Sequence, residues 1–105
     1  MINVTISYKP TININIEGHA NYSEHGSDIV CSSVSILAIT ISNKLVELNK
    51  DVKLDVQDGQ DARLNIEVVS LDQESKLLID TLIDGLKSIT EEYDSYINIK
   101  ETNND

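Results

Sequence analysis

Val30-Cys31-Ser32-Ser33-Val34-Ser35-Ile36-Leu37-Ala38-Ile39-Thr40-Ile41-Ser42-Asn43-Lys44-Leu45-Val46-Glu47-Leu48 can be read as strand or as helix, and the choice decides the architecture. Ile36, Ile39, Thr40 and Ile41 are β-branched, which favours a strand. Against that, Val30, Val34, Leu37, Ala38, Ile41, Leu45 and Leu48 recur at three- and four-residue steps, the spacing of one helix face. A stripe sustained over several turns predicts a helix. Because Ile36 to Ile41 is apolar or small nearly all round, a deeply packed one is expected. Gly26-Ser27-Asp28 precedes it, and Ser27 or Asp28 is the natural cap.

On the N-terminal side, Ile2, Val4, Ile6 and Tyr8 alternate with polar residues, and the alternation resumes at Ile12, Ile14 and Ile16. That period of two predicts a strand pair turning at Pro10. On the C-terminal side, Val52, Leu54 and Val56 alternate, Asp58-Gly59 signals a turn, and Leu64, Ile66 and Val68 alternate again. The loop from Gln57 to Ala62 is expected to be exposed. From Asp72 the spacing is helical once more, with Leu78, Leu82, Leu86, Ile89 and Tyr93 on one stripe and Leu71 just before it. Gly85 lies within that helix and predicts close packing on the sheet. A short last strand, Tyr96 to Lys100, turns Ile97 and Ile99 inward, and the polar tail from Glu101 to Asp105 is expected to fray.

The order is strand-strand-helix-strand-strand-helix-strand. It predicts an α/β (α+β) two-layer sandwich over residues 1–105, one domain with two helices on one face of a single sheet. The other face is left open, and Asn13, Asn15, Asn65 and Glu67 suit a solvated surface. Free strand edges in so small a sheet make a homodimer plausible.

With 105 residues and 40% hydrophobic content, the chain holds one modest core. A single cysteine rules out an internal disulfide, and a free thiol persists most easily in a reducing cytoplasm. The N-terminus has no basic leader with an apolar run, and no stretch is expected to reach the length and apolarity of a membrane span. The formal charge of −10, from 18 acidic and 8 basic side chains, argues against nucleic acid and anionic lipid and for a basic protein or peptide as partner.

Chemistry is concentrated between Gly18 and Ser35, which holds the only cysteine and both histidines. Cys31 falls about one turn into the predicted helix, where the positive helix end favours a thiolate, the attacking species. Free N–H groups of the same turn could receive the oxyanion formed when a thiolate adds to a carbonyl. His19 is 12 residues earlier, far enough for the intervening loop to bring an imidazole to the thiol as its base. Asp28 either orients that imidazole or caps the helix. Gly18, Gly26, Ser27 and Ser32 surround these groups and supply candidate substrate-binding and oxyanion backbone.

Other readings of the same residues exist. Cys31 between Val30 and Val34 also suits a small buried hydrophobe. His19, His25 and Cys31 could form a metal site, although the segment lacks CxxC or HxxxH spacing, and no metal or other cofactor is assigned. A thiol redox protein would need a resolving cysteine that the chain does not carry.

Gly18-His19-Ala20, a short variable loop, and Gly26-Ser27-Asp28-Ile29-Val30-Cys31 followed by two small residues and Val34-Ser35 resemble the signature of the ribosomal-processing cysteine protease family Prp. The resemblance extends through Gly85-Leu86-Lys87-Ser88-Ile89 to Tyr96-Ile97-Asn98-Ile99. It implies a cytoplasmic, homodimeric peptidase that removes a short N-terminal extension from large-subunit ribosomal protein twenty-seven, cutting after a pair of aromatic residues. By position it implies Cys31 as nucleophile, His19 as general base, Asp28 and the Gly18 backbone in support, and the loop Asn21 to Ser27 as a cover over the peptide. His25 inherits no role. Ser32 and Ser33 stand where the family commonly has two alanines. The alternative is a non-catalytic ribosome-associated module that holds a basic chain on its open sheet.

Overall fold

Alternation in the first seventeen residues becomes two antiparallel strands, β1 (Ile2–Ser7) and β2 (Ile12–Glu17). After β2 come α1 (Ile29–Leu48), β3 (Val52–Gln57), β4 (Arg63–Val68), α2 (Gln73–Glu92) and β5 (Ile97–Thr102). The structure, a computed structural model, describes residues 1–23 and 28–102. Gly26, Ser27 and His25, all weighed from the sequence, lie outside the described residues.

The strands form one sheet in the order β3-β4-β2-β1-β5, antiparallel except for the β1–β5 pair. Register places Val56, Leu64, Ile16, Val4 and Ile99 in one row across all five strands on the helix side. The core between sheet and helices is built on Val4, Ile6, Ile14, Ile66, Val30, Leu45, Ile79, Leu82 and Leu86, each at most 1% exposed. At about 25 cal/mol per Å² of apolar area removed from water, burial of these side chains is the largest favourable contribution to folding. This is the two-layer α+β sandwich that the periodicity predicts.

Four details differ from expectation. The middle of α1 is not packed all round: Ile36 is 68% exposed and Ile39 46%. With only two layers, the outer side of each helix has nothing to pack against, whatever its composition. Second, α1 does reach the length and apolarity of a membrane span, with 20 residues and a mean hydropathy of 1.7. Here its buried stripe, Val30, Val34, Ala38, Ile41 and Leu45, packs over the sheet and against α2. Third, Gly85 faces α1 rather than the sheet, since a Cβ there would meet Leu37 Cδ2 at 2.6 Å. Fourth, β5 continues through Glu101 and Thr102. Glu101 is held there by Lys87 Nζ at 2.7 Å and by the Tyr8 hydroxyl, which donates at 2.9 Å. Burial and that carboxylate together push the Tyr8 hydroxyl up to about 12.

The open face of the sheet carries Asn13, Asn15 and Asn65, with Asn65 Nδ2 donating to the side-chain oxygens of the other two at 2.9 and 3.2 Å. Its charges balance. Lys53, Arg63 and Lys100 share this face with Glu17, Asp55 and Glu67, and Arg63–Asp55 and Lys53–Glu67 are paired at 3.0 and 3.9 Å.

β2 stops at Glu17, and Gly18 turns the chain out of the sheet with φ +94. A Cβ at this position would lie 2.5 Å from the Met1 carbonyl oxygen, a backbone atom with little freedom to move. Gly18→Ala therefore combines left-handed strain with a collision. Its expected cost is about 2–3 kcal/mol, which lowers Tm by roughly 10 °C or more. Thermal unfolding followed by circular dichroism tests this, and an unchanged Tm would show that the turn relaxes freely.

Candidate active site

Two elements meet beyond the end of β2. The chain leaves the central strand through Gly18, presents His19, and returns to α1 at Asp28. The amide of Ala20 donates to Cys31 Sγ at 3.2 Å, so the residue after His19 touches the thiol. An N–H directed at sulfur is complementary to negative charge on it. Cys31 is half-buried, in the first turn of α1.

Asp28 caps that helix. Its Oδ1 accepts from the backbone N–H groups of Val30 and Cys31, both at 3.0 Å. Its Oδ2 accepts from Tyr22 N–H at 2.9 Å and from Ser23 N–H at 3.4 Å. The sequence left Asp28 open between cap and imidazole partner, and the structure makes it a cap that also ties down the start of the β2–α1 loop. Burial pushes this carboxyl up, but the N–H groups of Cys31, Tyr22, Ser23 and Val30 together hold it below its ordinary value of 3.8. Tyr22 is fixed from its other end as well, its ring meeting Tyr93 and Tyr96 edge to face at 5.6 and 5.0 Å.

The expectation of free N–H groups in the first turn does not hold at three positions. Val30 and Cys31 donate to Asp28 Oδ1, and Ser32 N–H donates to the Asp28 carbonyl at 3.1 Å. A good cap satisfies the donors that an oxyanion would otherwise use. The hydroxyls of Ser32 and Ser33 both donate to the Ile29 carbonyl, at 3.1 and 2.6 Å, so these serines keep their polarity within the helix.

His19 Nε2 is 2.9 Å from the carbonyl oxygen of Gly59. Gly18 N–H donates to the Ala62 carbonyl at 3.0 Å. The β3–β4 loop is thus part of the site, which sequence reading missed. Asp58-Gly59 signals a turn, but nothing local in it tells that the turn reaches a histidine 40 residues away. His19 and Cys31 line one open cleft of about 880 Å³, bounded by α1 on one side and this hairpin on the other. Away from the thiol the cleft is walled by Val34, Ala38, Ile39, Val56 and Leu64, and it is mainly apolar.

A thiol, an imidazole and an open peptide-sized cleft suit acyl transfer. The family described as cysteine protease Prp matches residues 1–98. The chain belongs to the Prp cysteine protease family. Prp proteins are named for ribosomal processing. Ribosomal processing cysteine protease Prp of Bacillus subtilis (strain 168) is 32% identical over 102 residues, covering 91% of this chain and 88% of its own. The same-named protein of Staphylococcus aureus (strain NCTC 8325 / PS 47) is 28% identical over 85 residues, 80% of each chain. Crystallographic Prp from S. aureus, in complex with a covalently linked product peptide, superposes with a TM-score of 0.82 at 27% identity, covering 97% of this chain and 100% of that one. This Prp chain is accordingly a cysteine protease with the Prp fold.

Proposed function

We propose that this protease removes the N-terminal extension of large-subunit ribosomal protein twenty-seven, with Cys31 as nucleophile and His19 as general base. The observation that carries the reading is the meeting of the two segments at one cleft, with the amide beside His19 donating to Cys31 Sγ at 3.2 Å. Cys31 Sγ adds to the scissile carbonyl carbon while its proton passes to His19. Collapse of the tetrahedral adduct breaks the C–N bond, His19 gives the proton to the leaving amine, and a thioester remains. Water, deprotonated by His19, then hydrolyses the thioester and restores the thiol. Asp28 holds the helix start and the loop in place for this chemistry.

The apolar wall of Val34, Ala38, Ile39, Val56 and Leu64 supports an aromatic pair before the cut. Asn21 and Ser23, at the start of the Asn21 to Ser27 loop whose residues 24–27 lie outside the described residues, line the cleft, in keeping with a loop that covers the peptide. A cytoplasmic location is supported by the need of a thiol nucleophile for reducing surroundings. A homodimer is part of the reading, supported by β3 and β5 standing at the two edges of the sheet among the described residues, and light scattering of the purified protein checks it. The rival module holding a basic chain on the open sheet finds no support in a face whose charges balance.

The test is a synthetic peptide spanning the extended N-terminus of the ribosomal protein from the same genome, read by mass spectrometry. One cut after the aromatic pair is the expected result, and an uncut peptide, or an unextended protein in that genome, defeats the assignment. Because the chain carries −10 and ribosomal proteins are basic, kcat/KM on the full-length substrate is expected to fall roughly tenfold between low and high salt. A flat salt profile would show that long-range attraction contributes nothing.

A further inference from the structure

The contact between His19 and the β3–β4 hairpin has a chemical direction. A carbonyl oxygen can only accept a hydrogen bond, so the Nε2 that meets Gly59 O at 2.9 Å carries a proton. Neutral His19 is then the Nε2–H tautomer, and its lone pair is on Nδ1. We propose that the main-chain carbonyl of Gly59 positions His19, fixing the Nε2–H tautomer so that Nδ1 is the nitrogen that exchanges a proton with Cys31. This rests on the nucleophile and base roles given above.

Asp28, a candidate from the sequence for orienting the imidazole, is engaged with the backbone. Both oxygens of Asp28 accept from the backbone of the loop and of α1. A second tie holds the hairpin in register with the histidine: Gly18 N–H donates to Ala62 O at 3.0 Å, on the residue immediately before His19. The direction of the Gly59 carbonyl is set by an unusual backbone, with φ +104. An L side chain there meets nothing within 4 Å, so substitution would act through the backbone and not through a clash. Turning the Gly59 peptide out of this conformation swings the oxygen off Nε2. This orienting contact is made by an atom of the main chain, and what position 59 must preserve is a conformation.

The test compares the native chain with two chemically synthesised forms, Gly59→Val and Gly59→D-Ala, each with 15N-labelled histidine. D-alanine takes positive φ readily, so it keeps the carbonyl in place, whereas valine resists it. Two-bond proton–nitrogen correlation spectra report which ring nitrogen of His19 is protonated, with His25 distinguished by the spectrum of a His19→Gln protein. The expected result is an Nε2–H signature in the native and D-alanine forms and a mixture of tautomers in Gly59→Val. With the peptide substrate, Gly59→Val should lose tenfold or more in kcat with KM changed less than threefold, and D-alanine should restore kcat. A native Nδ1–H signature overturns the proposal. So does an unaltered Nε2–H signature in a Gly59→Val protein that has lost activity, since the hairpin would then act on binding or folding alone. Native cleavage by His19→Gln would instead remove the base role itself, on which the tautomer spectra do not depend.

Discussion

Cys31→Ala is expected to give a folded protein that binds the ribosomal peptide and does not cut it. The side chain is half-buried at the start of α1, and alanine is a smaller residue with better helix propensity. What the fold loses is the contact of Ala20 N–H with sulfur, and Ala20 is only 3% exposed, so one buried amide loses its partner. Stability should therefore fall by about 1–3 kcal/mol, which leaves the domain folded. Cleavage should fall by about 10⁴-fold or more, since no other thiol exists to form the thioester. Mass spectrometry of a long incubation measures the cleavage, and fluorescence titration with the same peptide measures the binding. Cleavage at a tenth of the native rate would end the thiol mechanism, and loss of binding would show that sulfur shapes the cleft.

Asp28→Ala should produce the largest combined loss of stability and activity among the variants considered. One carboxylate receives four backbone N–H groups, two from α1 and two from the loop leading to it. Losing a helix cap costs about 1 kcal/mol, and losing charge-assisted bonds to a buried group costs about 1.5–3 kcal/mol more. The expected total of about 2.5–4 kcal/mol corresponds to a Tm lower by roughly 10 °C or more. Activity should fall more than tenfold even well below Tm, because the segment that places Cys31 is no longer tied. A pH dependence follows from the lowered pKa of Asp28. A depressed carboxyl stabilises the fold above its unfolded value near 3.8, and that stabilisation is lost as pH falls through the folded value. The stability difference between native protein and Asp28→Asn should therefore be constant above about pH 5 and shrink below pH 4. Urea unfolding at several pH values tests this, and a difference that persists unchanged to pH 2 would show that the carboxylate charge is not what the loop holds.

Much of this was legible in the chain because it is local. Alternation at Ile2 to Ile6 and Ile12 to Ile16 encodes strands by geometry, and a cap at Ser27 or Asp28 is a short-range demand of the backbone. The exposure of Ile36 and Ile39 was not legible, since hydropathy records what a residue prefers and not how many layers surround it. Gly85 reads as a small residue in a helix, but only the placement of α1 beside α2 identifies Leu37 as its neighbour. The Cys31 and His19 segment was visible through residue type and spacing. The link from His19 to Gly59 was not, because a carbonyl is present at every position, and its use depends on two distant hairpins being brought together by sheet order.

That sheet order gives the two halves of the site different lifetimes. Ile14 and Ile16 lie on β2, the middle strand, bonded on both sides by β1 and β4. Their amides can exchange with solvent deuterium only when the sheet itself comes apart. The first turn of α1 is anchored by the Asp28 carboxylate and by Val30 in the core, but it is the end of a helix, so its amides exchange through a smaller opening. The strand that leads to His19 is thus as durable as the whole domain, while the cysteine end can loosen by itself. In rising urea the enzyme should fall silent before it unfolds.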